Sequence, residues 1–313
     1  MLILGIALPQ IIKNSYFFFA AYMIFQFIIL ASAWNILGGY TGYINFGTAG
    51  FFAVGAYTGS VLIIYFQAPL VVVLLIGGLL AGLLGLGLGY LTIRVRGTYF
   101  AIASLAVSVV IQVLVINTPL LGGAKGLTIL RPQAFPPFST YIEFLSALML
   151  LLAFISVIVA RTIEKSWIGK AFIAIKDSEE AAECAGVDTF HLKLFATTLS
   201  CFLMGVAGAP YPYYTTYIEP YSSMDLAITV NGIAMPIVGG IGHWLGPVIG
   251  ALFLGVVQQI LMVTISSELN ILFLAIMIIG FLILAPRGIM GLIHEQFKLK
   301  RKGGRRDATT GNK

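Results

Sequence analysis

The sequence predicts an all-α fold, a polytopic bundle of membrane-spanning helices. Three observations carry that prediction. The chain of 313 residues is 59% hydrophobic and only 10% charged, with a mean hydropathy of +0.99, more apolar surface than a water-facing domain can hide. No Asp, Glu, Lys or Arg occurs from Asn14 to Ile93, and further charge-free runs cover 97–124, 144–160, 194–218, 226–267 and 269–286. These runs are broken by Gly, Pro and Asn at intervals close to the ~20 residues that a helix needs to cross a bilayer.

Taken in order, the runs give spans near 16–35, 44–66, 70–92, 98–117, 142–160, 192–214, 226–241, 246–266 and 270–286, about nine crossings. Residues 1–12 are apolar, but ~12 residues rise only ~18 Å as a helix, so they read as an interfacial segment or the remnant of a longer first helix. No basic region precedes them and no small-residue cleavage site follows, which argues against a signal peptide. Residues 1–292 thus form one transmembrane domain, with a charged loop at 161–193. Residues 293–313 form a basic tail rich in Gly and Thr, expected to be disordered.

Lys and Arg collect in cytoplasmic loops. With nine spans, Arg94, Arg96, the loop with Arg161, Lys165, Lys170, Lys176 and Lys193, and the tail from Arg287 fall on one side, and Lys13, Lys125 and Arg131 on the other. The first side, with the C-terminus, is therefore expected to be cytoplasmic. The net charge of +6 comes mainly from loops and tail, a pattern for contact with anionic lipid rather than nucleic acid. Two cysteines, Cys184 and Cys201, support neither a disulfide framework nor a cysteine metal site. The three histidines stand apart, and no G-x-x-x-x-G-K-[ST] phosphate cradle occurs, so neither catalysis, a metal nor a nucleotide is expected on this chain.

Glycine is dense in two places, at 38, 39, 42, 47, 50 and 55, and at 239, 240, 242, 246, 250 and 255. Two readings stay open. Interrupted helices in corresponding halves mark a substrate path in transporters, and small residues let helices pack closely. Polar groups inside the spans, Asn35, Asn45, Ser104, Gln112, Asn231 and Gln258, suit the ends of a zwitterion or pair with other helices. Asn45 and Asn231, beside the breaks, are the favoured path residues, together with Gly42, Gly47, Gly239 and Gly240. All twelve acidic residues lie in loops, tails or at span ends, which disfavours proton coupling through the membrane interior.

The charged loop holds the segment DSEEAAECAG from Asp177 to Gly186. Asp177 is expected to cap a helix, Glu180 to reach back to it, and Gly186 to stop it in the left-handed conformation, leaving about two turns over 178–185. Ala181, Ala182 and Ala185 would form a small-residue face for a partner's groove, rimmed by Glu179, Glu180 and Glu183. An ordinary surface helix between two spans is the alternative.

GKAFIAIKDSEEAAECAG at 169–186 resembles the ATPase-coupling loop of the permease subunits of branched-chain amino-acid ABC importers of the LivM type. GGYTGYINFGTAGFFAVGAY at 38–57, RVRGTYFAI at 94–102, GGAKGL at 122–127, GGIGHWLGPVIGA at 239–251 and APRGIMGL at 285–292 resemble the same family, in the expected order. The resemblance implies an inner-membrane importer subunit working with a second permease of the LivH type, two ABC ATPase subunits that bind ATP and Mg, and a periplasmic or lipid-anchored amino-acid-binding protein. It implies that the helix with Glu180, Ala181, Ala182 and Gly186 transmits ATPase closure to the membrane. The pattern also serves urea and short amides. A stand-alone facilitator or ion-coupled carrier, and a membrane scaffold without transport, are the rivals from other classes.

Overall fold

A computed structural model describes residues 15–92, 97–132, 138–264, 275–277, 279–281, 283 and 288–291. Among them, six helical segments are long and apolar enough to cross a membrane. α1 (Ser15–Trp34) continues through a wider π-turn at Asn35–Gly39. α2 (Thr48–Phe66), α3 (Leu70–Thr92), α4 (Thr98–Asn117) and α5 (Tyr141–Lys165) follow. After the charged loop, α8 (Thr189–Gly208) runs on through the short α9 (Tyr211–Thr215), and the one-turn α10 (Pro220–Ser223) follows.

The expected count of nine crossings is not reached among these residues. α11 (Leu226–Gly239) has 14 residues and rises only ~21 Å, short of a ~30 Å hydrocarbon core. α12 (Gly246–Thr264) has 19, of which 246–262 are the apolar stretch. The span expected at 270–286 falls largely outside the described residues, as do residues 1–12 and the tail 293–313.

α8 is the centre of the bundle. It lies against α1, α2 and α3, and the approach is close because small residues face one another. A methyl group on Gly55 of α2 would stand 2.0 Å from the Gly205 carbonyl oxygen of α8. One on Gly208 would stand 1.9 Å from the Phe52 carbonyl oxygen of α2. Much of the glycine content is thus explained by helix contact. The large side chains Phe51, Phe52, Leu30, Ile36 and Leu37 are fully buried in the same core. α4 instead leaves Ile102, Leu105, Val109, Val113 and Leu114 on the outside, as expected for a face meeting lipid or another membrane chain.

The bundle has two distinct ends. At one, the segment 117–132 packs on 211–218, where a two-residue antiparallel pair forms, β1 (Leu127–Thr128) with β2 (Tyr217–Ile218). This small departure from the all-α expectation is too short to leave an alternating pattern. Arg131 ties the same end together, donating from Nε to the Tyr213 carbonyl at 2.8 Å and from its terminal nitrogen to that of Tyr214. The other end carries the charged loop.

Candidate functional site

The charged loop is helical nearly throughout. α5 runs to Lys165, past the expected end at 160. Ser166 then caps α6 (Trp167–Asp177), a helix absent from the sequence expectation. Its signal was present, because Ile168, Ala171, Phe172 and Ile175 follow the i, i+3, i+4, i+7 spacing of a one-sided helix. The last three are buried, while Ile173 and Asp177 face out.

α7 (Glu179–Cys184) is the expected short helix, with two corrections. Its cap is Ser178, whose hydroxyl accepts from the Ala181 N–H at 3.3 Å, because Asp177 is still the last residue of α6. The residue three beyond the cap is then Ala181, with no side chain to reach back, so the Asp177–Glu180 box is not the device. The expected alanine face is also divided: Ala182 is buried within this chain, whereas Ala181 and Ala185 are exposed with Glu180, Glu183 and Cys184. Gly186 acts as expected. Its φ is +84°, and it donates to the Glu183 carbonyl at 2.9 Å while Val187 donates to that of Ala182 at 3.0 Å, the closure of a left-handed helix stop.

Asp188 restarts the chain as the cap of α8, accepting from the His191 amide at 3.2 Å and meeting its ring at 2.7 Å. The His191 amide first, and its ring second, hold the Asp188 carboxyl below the usual carboxylate range.

The loop is fastened to both glycine-rich breaks. Lys176 donates from Nζ to the Gly39 carbonyl at 2.9 Å, and its stem lies along Gly42, where φ is +80°. Glu164, at the end of α5, accepts from the Tyr40 hydroxyl at 3.2 Å and from the Trp244 amide at 2.6 Å. Asn35 closes the ring of contacts, donating to the His243 carbonyl at 3.2 Å and accepting from the Gly242 amide at 3.0 Å. The two breaks, some two hundred residues apart in sequence, therefore meet at one place directly above the loop. Arg161 stacks over Trp244 at 5.0 Å on the same side.

Deeper in the bundle stand the expected path residues. Asn45 is fully buried; its Oδ1 accepts from the Gly47 amide at 2.7 Å, and among the described residues its Nδ2 has no hydrogen-bond partner. Gly47 precedes α2, against the Ser104 carbonyl. Thr48, one residue on and equally buried, leaves its Oγ1 unpartnered too and packs at Gly232 of α11. Asn231 accepts from Gln258 Nε2 at 2.7 Å, and Thr229 joins the layers by accepting from the Ala49 amide at 3.1 Å. No hydrogen bond joins Asn45 to Asn231, but their neighbours touch. Gly239 and Gly240 lie at the end of α11, where a methyl group on Gly239 would stand 1.8 Å from the Gly246 carbonyl oxygen.

The family description "Branched-chain amino acid transport system / permease component" matches residues 16–282, a range that contains both breaks and the whole loop. The chain belongs to this permease family. The permease is 28% identical to the high-affinity branched-chain amino acid transport system permease protein LivM of Escherichia coli (strain K12), over 96% of this chain and 76% of that protein. It is 27% identical, over the same shares, to the LivM protein of Salmonella typhimurium (strain LT2). A probable LivH permease protein of Methanocaldococcus jannaschii is 30% identical over 43% of this chain and 44% of its own length. No solved structure matches the permease. With six apolar spans among the described residues and this membership, it is a multi-pass membrane protein and a transport component rather than an enzyme.

Proposed function

We propose that the permease moves branched-chain or related apolar amino acids into the cytoplasm across the inner membrane, driven by ATP hydrolysis in partner ATPase subunits that dock on α7. The observation that carries this proposal is the double character of the loop. Ala181, Ala185, Glu180 and Glu183 are exposed to a partner, while Ala182, Glu179 and Lys176 hold the same segment to the bundle. A surface so placed receives force on one side and delivers it on the other.

In this account the loop end is cytoplasmic, in keeping with its Arg161, Lys165, Lys170, Lys176 and Lys193 against Lys125 and Arg131 opposite. The C-terminus lies on the same side. ATP and Mg belong to the two ATPase chains. A second permease of the LivH type completes the membrane unit, and a periplasmic or lipid-anchored binding protein delivers substrate to the end built from 117–132 and 211–218.

The path passes the junction of the two breaks. Asn45 Nδ2 and Thr48 Oγ1, fully buried and without partners among the described residues, are the groups suited to a substrate's polar ends, with Asn231 across the junction. Gly42, Gly47, Gly239 and Gly240 let the backbone there come close.

The test is reconstitution in liposomes with and without the ATPase partners, measuring leucine uptake. Uptake that requires ATP and the partners supports the proposal. Uptake by this chain alone, unaffected by ATP, makes it a facilitator, and uptake of urea in place of leucine reassigns the solute.

A further inference from the structure

Lys193 is a cation in an unusual place. It lies in the second turn of α8 with its ammonium group inside the protein, and the residue is only 3% exposed. A buried charge in a membrane helix costs several kcal/mol unless it is paired. Its partner is Glu179, the first residue of α7, whose Oε1 accepts from Nζ. The other carboxylate oxygen, Oε2, accepts from the Tyr43 hydroxyl at 2.7 Å. Lys193 also donates to that hydroxyl at 3.3 Å and stands 5.1 Å over the Tyr43 ring. The ring in turn packs edge-on against Phe100, in the first turn of α4, at 5.4 Å.

The triad joins three elements that lie apart along the chain: the docking helix α7, the central helix α8, and the irregular segment 40–47 between the π-turn and α2. That segment holds Asn45 and ends at the start of α2. Its Tyr43 side chain bonds α7, and the phenol hydroxyl is shared between the carboxylate and the ammonium group. Lys176 holds the neighbouring Gly39 carbonyl from α6, so the loop holds the chain at Gly39 and again at Tyr43.

We infer that Tyr43, Glu179 and Lys193 form a latch that carries displacement of α7 into the segment 40–47, and through it to Asn45 and the first turn of α2. Lys193 is the fixed post, because α8 is packed on three sides. Glu179 is the moving part, because its helix is exposed and its side chain retains 15% exposure. Tyr43 is the positioning residue that converts a change at Glu179 into a change at the break. The inference rests on the proposed docking of ATPases at α7 and adds the route by which the docked force reaches the path.

The test uses the complete complex in liposomes, measuring leucine transported per ATP hydrolysed, ATPase rate and co-purification of the ATPase subunits. Tyr43→Phe retains the ring on Phe100 and removes one charge-assisted hydrogen bond, a linkage worth on the order of tenfold in equilibrium. Leucine per ATP is expected to fall several-fold, with ATPase association unchanged. Glu179→Lys is expected to uncouple more strongly, and the exchanged pair Glu179→Lys with Lys193→Glu to recover part of the loss. An unchanged ratio in Tyr43→Phe overturns the latch. So does loss of the ATPases in that variant, which would make Tyr43 a docking residue, and so does an exchanged pair that assembles without recovery. Wild-type complex without ATP-driven uptake would instead defeat the proposed function.

Discussion

Gly239→Ala and Gly186→Ala are the same substitution at two of the residues singled out by sequence, and the structure sets their consequences far apart. At Gly239 the added methyl group would meet the Gly246 carbonyl oxygen at 1.8 Å and the Gly250 nitrogen at 2.7 Å, both backbone atoms that cannot rotate away. Normal contact needs ~3.5 Å, so α11 and α12 must part by roughly 1.5 Å. Overpacking of that kind costs about 3 kcal/mol. At Gly186 nothing lies within 4 Å of the added group, and only the left-handed φ of +84° is strained, about 1 kcal/mol. At ~2–4 °C per kcal/mol, Gly239→Ala should lower the thermal midpoint of the detergent-purified permease by roughly 6–12 °C and Gly186→Ala by ~2–4 °C. Size-exclusion chromatography after stepwise heating reads both. A neutral Gly239→Ala, or a larger loss at Gly186, would refute the close α11–α12 packing and return Gly239 to an unobstructed backbone position.

Four further outcomes follow from the loop. Ser178→Ala should cost about 1 kcal/mol of helix stability and speed amide hydrogen exchange in 179–184, whereas Asp177→Ala should leave that exchange unchanged; the reverse order would contradict the cap. Glu180→Lys should weaken co-purification of the ATPases while membrane insertion and melting stay the same, and unaltered co-purification counts against docking on α7. Because the Asp188 carboxyl is held below its ordinary value of 3.8, its stabilisation of α8 is complete above that pH and fades as pH falls through the lowered value. Carbon NMR should show its titration midpoint below 3.8, and a midpoint above it would deny the His191 contact.

The long helices were legible in sequence because length without charge is the signal, and α2, α3 and α4 agree with the expected spans within a few residues. The stop at Gly186 was legible for a similar reason, since its requirement is local. The cap was misread because Asp177 and Ser178 are both cap-forming residues, and the choice depends on where α6 ends. α6 itself is obscured in the sequence by the charges of Lys170 and Lys176, although its buried stripe is readable. In the sequence Lys193 marks only sidedness, although a lysine inside an apolar span is a clue to a buried partner. Glu179 lies only 14 residues from Lys193, but Tyr43 stands 136 residues from Glu179, and only the folded bundle joins the three. The meeting of the two breaks through Asn35 is long-range in the same sense. The glycine patches suggest either a path or packing; Gly55, Gly208 and Gly239 each meet a backbone oxygen closely, while Asn45 and Thr48 retain polar atoms without a partner among the described residues, beside the break.

The native Cys184 offers the most direct measurement, because it lies exposed on α7 while Cys201 is buried. A maleimide carrying a photoreactive group, added to inside-out membrane vesicles holding the complete importer and illuminated, should join Cys184 to an ATPase subunit, and a membrane-impermeant maleimide should block that adduct from the cytoplasmic side only. Labelling of Cys184 from the outer face, or an adduct with the external binding protein in place of the ATPase, would contradict the account.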